Sequence, residues 1–250
     1  MRLYLSSYRL GNHANNLLDI VGKGRRVGII SNALDNLPVE SRIEYQNNIY
    51  DMCSVFREMG FKPTELDLRQ YFDKKDALKE ELKNYDLIWV TGGNCFLLRR
   101  AMKYSGFDQI ITDMLHEDTV VYGGFSAGVC VLGPTLKGIE LCDEAANVSE
   151  GYNSEIIWDG LGLIPFSIAP HYRSNHPEAP MIENVVSYFK DHGMAHYALR
   201  DGDVLVCNGT DLKLHKLEDG VPNPLDMSKD KRFTNNISRA EKQNLLNSNL

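Results

Sequence analysis

The stretch that decides the fold is "VVYGGFSAGVC", residues 120–130. An apolar, β-branched run ends in two glycines, a serine follows, and small residues continue beyond it. A strand that merely turns tolerates many residue types. A strand that must hold a hydroxyl at a sharp bend tolerates few, because backbone passes close on both sides and only glycine lacks a Cβ to clash. Gly124, Ser126 and Gly128 stand in G-x-S-x-G spacing, with a strand predicted before and a helix after. In that context the motif works as a nucleophile elbow. It lifts serine Oγ above the sheet and leaves the next amide, that of Ala127, free to face an oxyanion. Five residues in this pattern also arise by chance, so the surrounding chain has to support the reading.

Working outward, "DLIWVTGG" (86–93) is the clearest buried strand, an unbroken apolar run closed by a double glycine. "RLYLSS" (2–7), "RRVGIISNA" (25–33) and "KPTELDL" (62–68) read as further strands. Between them lie helical patterns at 38–60, 73–85, 94–106 and 108–118; the first places Tyr45, Ile49, Met52 and Phe56 at helical spacing. Apolar strands alternating with helices predict an α/β fold with a parallel sheet covered on both faces, a three-layer sandwich. The segment 196–220 differs: short strands joined by "DG" and "NG" predict antiparallel hairpins near the C-terminal end. From about residue 226 the chain is a polar tail, in which "ISRAEKQNLLNS" (237–248) could form a last helix. No repeat or linker interrupts the pattern, so residues 1–250 read as one domain.

Composition narrows the function. Apolar residues at 43% and charged residues at 24% are the balance of an ordinary globular protein. A net charge of −7 argues against a nucleic-acid surface, which needs a concentrated basic face. No apolar run approaches the roughly 18–20 residues of a membrane span, and "MRLYLSSYRLGNHANN" is too broken for a secretory signal. Five cysteines (53, 95, 130, 142 and 207), widely spaced, suit reduced thiols, which points to the cytoplasm. Cys130, close to the serine, reads as a small apolar side chain facing the sheet rather than a nucleophile. The first strand carries no G-x-G-x-x-G, which removes the dinucleotide-binding reading.

A second strand end repeats the device at Ser126. Gly92-Gly93 opens into a helix, and the Gly93 amide could supply a second oxyanion donor; taken alone, the pair is also an ordinary tight turn. With "TGGNCFLL" and "GGFSAGVCVLGPT" some thirty residues apart, the chain resembles the peptidase family typified by aspartyl dipeptidase (peptidase E), which includes cyanophycinase-like enzymes. The resemblance is strongest at these two motifs and runs more loosely to about Asn208. It implies a fold similar to class I glutamine amidotransferases, a serine at the nucleophile position, short-peptide substrates and no metal or organic cofactor.

Such a serine needs a base. Of seven histidines, His116 and His215 read as surface residues, His13 lies in a loop, and His192 and His196 flank a glycine. His171 stands out, because an apolar run stops at Ala169-Pro170 and presents it at a strand end. The resemblance implies the same residue, in the context Pro170-His171-Tyr172; His176 is the competitor. The resemblance also implies an acid before a glycine turn about thirty residues later, here Asp201-Gly202, where the family typically has Glu. Asp201 could equally serve only the turn, and Asp203 offers a second carboxylate. Asn94 and Arg173, beside Gly93 and His171, are the substrate-binding candidates. Where aspartyl dipeptidases carry their groups for the substrate's carboxylate and amine, this chain has Leu141 and Val185, with Glu140 and Asp143 nearby. The expectation is an amide-bond hydrolase acting on short peptides, as a monomer or homodimer, without strict aspartyl specificity. Two alternatives remain open: a cyanophycinase- or isoaspartyl-type hydrolase, and a non-catalytic binding protein on the same fold.

Overall fold

A computed structural model describes residues 1–48 and 50–217. The polar tail and the helix expected at 237–248 lie outside the described residues. The chain runs β1 (Arg2–Ser6), α1 (Ala14–Val21), β2 (Arg26–Ile30), α2 (Val39–Asn48), α3 (Met52–Glu58), β3 (Lys62–Glu65), α4 (Lys75–Leu82) and β4 (Leu87–Val90). It continues through α5 (Cys95–Ser105), α6 (Phe107–His116), β5 (Val121–Phe125), α7 (Ala127–Cys130), β6 (Ser167–Ala169), α8 (Ala179–Asp191), β7 (His196–Ala198), β8 (Val204–Asn208) and β9 (Asp211–His215).

Seven strands form one sheet in the order β3-β2-β4-β5-β1-β8-β9. The first five pair in parallel, and β8 and β9 add an antiparallel edge. Side-chain alternation along each strand shows why both faces are covered. Leu3, Leu5, Ile88, Val90 and Tyr122 point into one core with α5, α6 and α8. Tyr4, Leu87, Trp89 and Val121 point into the other, against Leu17 of α1 and Phe56 of α3. These are the three layers expected from the apolar strands. No helix among the described residues is long and apolar enough to cross a membrane.

Three local features depart from the pattern read in the sequence. The helical stretch at 38–60 is two helices, because Asp51 leaves helical geometry and its carboxylate accepts the N–H of Cys53, capping α3. The "NG" turn joins β8 to β9 as an antiparallel hairpin, but the "DG" turn at Asp201-Gly202 closes none. Instead β7 pairs in parallel with β6 in a separate two-stranded sheet. The third is helix α1, which follows the loop at His13 and which no pattern read in the sequence marks.

The glycines around residue 126 are there for close approach. A Cβ on Gly124 would sit 2.6 Å from the Val90 carbonyl oxygen, and one on Gly128 would sit 2.3 Å from it. The α7 helix is therefore pressed onto the end of β4. Gly128→Ala should lose about 1–3 kcal/mol despite alanine's better helix propensity, because the obstacle is backbone and cannot rotate away. Thermal unfolding should show a melting point several degrees lower; an unchanged value would mean that the contact relaxes freely.

Candidate active site

Ser126 follows β5 directly and precedes α7 with φ 51° and ψ −120°. A serine pays roughly 1–3 kcal/mol to sit in such a sparsely populated region. Its backbone N–H donates to the Ser7 carbonyl at 3.2 Å, extending the β1–β5 pairing past the last strand residue. Gly92 lies against the turn: a Cβ there would come within 2.9 Å of the Ser126 Cβ. Both glycine devices noted in the sequence thus meet at one bend.

His171 and Asp201 come together. Their Nδ1–Oδ1 separation is 2.8 Å, and both side chains are almost entirely buried. A carboxylate on Nδ1 holds the proton there and leaves Nε2 as the acceptor. His171 has φ 60°, and its N–H donates to Ser7 Oγ at 2.8 Å. The Asp201 N–H donates to Ser174 Oγ at 2.8 Å, so the short aspartate is held where it reaches the ring. Asp203 is used elsewhere, accepting the N–H groups of Arg200 and Leu217. Among the described residues no hydrogen bond joins Ser126 Oγ to His171, a bond that often tightens only with substrate present. The two residues are linked through Ser7, and through the Tyr8 ring, which touches both Phe125 and His171.

Gly93 has φ 133°, and a Cβ there would lie 2.5 Å from the Ala33 carbonyl oxygen, so this position also demands glycine. Among the described residues neither the Gly93 nor the Ala127 N–H meets an acceptor, as oxyanion donors require. Asn94 serves the scaffold, since its Oδ1 caps α5 at Leu97 N and its Nδ2 donates to the Glu144 carbonyl. Arg173 is exposed, with its guanidinium over the Tyr172 ring and its Nε donating to Glu183. Val185 is fully buried in α8, and Leu141 is exposed.

Ser7, Glu178 and His176, the last named in the sequence only as a competitor to His171, gain weight in the structure. Ser7, the residue after β1, bonds to all three candidate residues. Its signal was a polar pair closing an apolar strand, too common to single out. His176 stacks face to face on His171, ring centroids 3.7 Å apart. Glu178 places Oε2 3.9 Å from His171 Nε2. His171, His176 and Glu178 bring donor atoms within 4.8 Å of one another, yet the imidazole planes differ by only 7°. Lone pairs that run side by side do not converge on one ion at about 2 Å, and His176 Nδ1 already accepts the Glu178 N–H. The trio is not a preformed metal centre.

A strained serine at a strand end, beside a buried histidine–aspartate pair, defines a layout shared by hydrolytic enzymes that work from the C-terminal edge of an α/β sheet. The model of peptidase family S51 matches residues 31–215, and the chain belongs to that family. An uncharacterized peptidase of Listeria monocytogenes is 28% identical over 135 residues, 54% of this chain and 62% of that protein, so the chain spans about three fifths of this relative's length. Peptidase E of Streptomyces coelicolor is 25% identical over 194 residues, 73% of this chain and 76% of its own. A crystal structure of a peptidase E candidate from Listeria monocytogenes superposes with a TM-score of 0.69 at 22% identity, covering 87% of this chain and 98% of that one; it speaks for the fold.

Two groups beside His171 titrate abnormally, in opposite senses. Burial, reinforced by His171 and Arg9 against the pull of Asp201, lowers His176 from 6.5 to about 4. Asp143, whose carboxyl accepts the Cys95 N–H at 2.7 Å, is raised from 3.8 to about 7. Although the residue as a whole is half-buried, loss of water around the carboxyl is the main cause; Glu178 adds to it, while Cys95 and His171 oppose it. With its folded value depressed, His176 contributes stability that is full above about pH 6.5 and lost as pH falls towards 4. With its folded value raised, Asp143 contributes stability that is full below about pH 4 and lost as pH rises towards 7. The slopes oppose each other in one window. Relative to wild type, His176→Gln should therefore lose stability more steeply from pH 4 to 7, and Asp143→Asn should gain it over the same range. Melting curves across that range decide it; parallel profiles for all three proteins would refute the assignment.

Proposed function

We propose that this chain hydrolyses amide bonds in short peptides through an acyl-enzyme on Ser126. The observation that carries the reading is the buried 2.8 Å contact between His171 Nδ1 and Asp201 Oδ1, tied through Ser7 to the strained turn at Ser126. Ser126 Oγ attacks the substrate carbonyl carbon while its proton passes to His171 Nε2. The imidazolium is stabilised by Asp201, and the Gly93 and Ala127 amides face the oxyanion, each worth about 2.7–4 kcal/mol of barrier. The C–N bond then breaks and His171 gives its proton to the leaving amine. Water repeats the sequence with His171 as base, which releases the acid and restores the serine.

Membership of family S51 and likeness to relatives named peptidase E support the peptidase reading, and the family resemblance carried by the two glycine motifs implies short peptides as substrates. Ser126→Ala and His171→Ala should abolish both peptide hydrolysis and labelling by a fluorophosphonate probe. Asp201→Asn should retain the fold and lose on the order of 10³–10⁴ in kcat, because the amide favours the wrong imidazole tautomer. Full labelling of His171→Ala would sink the mechanism.

Specificity follows from charge. Burial already pushes the Asp143 and Glu178 carboxyls up beside His171, so an aspartyl side chain brought to this region would be a third acid where two already resist ionisation. We expect a dipeptide library varied at its N-terminal residue to show cleavage not confined to aspartate, with neutral or basic residues preferred. Turnover of aspartyl dipeptides alone would reverse this conclusion.

A further inference from the structure

We propose that Ser7 is a positioning residue that couples the nucleophile to its base and acid, a role that rests on the peptidase reading above. Ser7 is completely buried immediately beyond β1, the strand between the one carrying Ser126 and the edge formed by β8 and β9. Its main chain reaches both sides. The carbonyl accepts the Ser126 N–H at 3.2 Å, and its own N–H donates to the Asp203 carbonyl at 3.2 Å. Its side chain does the rest: Oγ accepts the His171 N–H at 2.8 Å and lies 2.9 Å from Asp201 Oδ1, with the Leu199 carbonyl farther away at 3.3 Å. A hydroxyl has one proton to give. The charged and nearer acceptor takes it, so Oγ–H points at Asp201 Oδ1, the same oxygen that accepts His171 Nδ1–H.

Two consequences follow from this arrangement. The carboxylate, with two donors on one oxygen, cannot rotate without breaking both bonds, which fixes the plane in which it meets the imidazole. The His171 backbone, held in the left-handed region where histidine is disfavoured, is anchored by the same hydroxyl. Removing Oγ leaves a buried N–H without its acceptor and leaves Asp201 with one donor fewer. An Asp201 that has lost a donor is a stronger partner for the imidazolium, so His171 should then take up its proton at higher pH.

The test is the second-order rate of Ser126 labelling by a fluorophosphonate, measured against pH in wild type, Ser7→Ala and Ser7→Cys, with melting curves for each. This needs no knowledge of the physiological substrate. Ser7→Ala should fold and be labelled at least tenfold more slowly, with the midpoint of its pH profile moved upward. Ser7→Cys, close in size and a weak donor, should fall between the two, and carries the test if the alanine variant does not fold. A wild-type rate and midpoint in the folded variants would overturn the proposal. So would a rate loss that follows the loss of melting temperature with the midpoint unmoved, since that is what a merely structural serine gives. Wild-type protein that is not labelled at all would remove the peptidase reading itself, an outcome distinct from either.

Discussion

The parallel pairing of β1 with β5 is the constraint on which the site depends. Its register sets Ser6 opposite Phe125, so the next residue of each strand, Ser7 and Ser126, leaves the sheet at the same level. One chain turns sharply into α7. The other carries a hydroxyl towards the loop that holds His171 and the turn that holds Asp201. A shift of one residue in this pairing would turn every side chain of β1 to the opposite face and separate these groups. The alternation of Leu3, Tyr4 and Leu5 between two cores is what prevents that shift.

Much of the architecture was legible because buried parallel strands are continuous apolar runs, and "LIWV" and the run before Gly123 can hardly be anything else. The bend at Ser126 was legible for a related reason: its glycines answer to backbone contacts from β4, which leave no latitude in residue type. The break between α2 and α3 was hidden, because a helical apolar spacing runs across it and only the cap at Asp51 marks the interruption. The pairing of β7 was hidden too. A "DG" dipeptide signals a turn but not which strand lies beyond it, and β7 finds β6 rather than β8.

At the site, the chain showed residue types and strand ends but not contacts. His171 was marked by its place after an apolar run, and Asp201 chiefly by family likeness. That the shorter acid reaches the ring depends on Ser174 and Ser7, neither of which has a local pattern that sets it apart from an ordinary turn serine. Asn94 shows the opposite difficulty. Its position beside Gly93 suggests a substrate ligand, whereas its amide secures the helix and the loop at Glu144. The stacking of His176 on His171 joins residues five apart in a loop, where no periodicity applies.

The small sheet of β6 and β7 has a mechanical meaning. Ser126 follows a strand of the main sheet, whereas His171 hangs from a separate ribbon, fastened by the Leu199 carbonyl to Tyr172 and by Ser7. Two sheets that meet at Ser7 therefore fix the spacing of serine and histidine between them, and a change in how they pack alters that spacing without touching either residue.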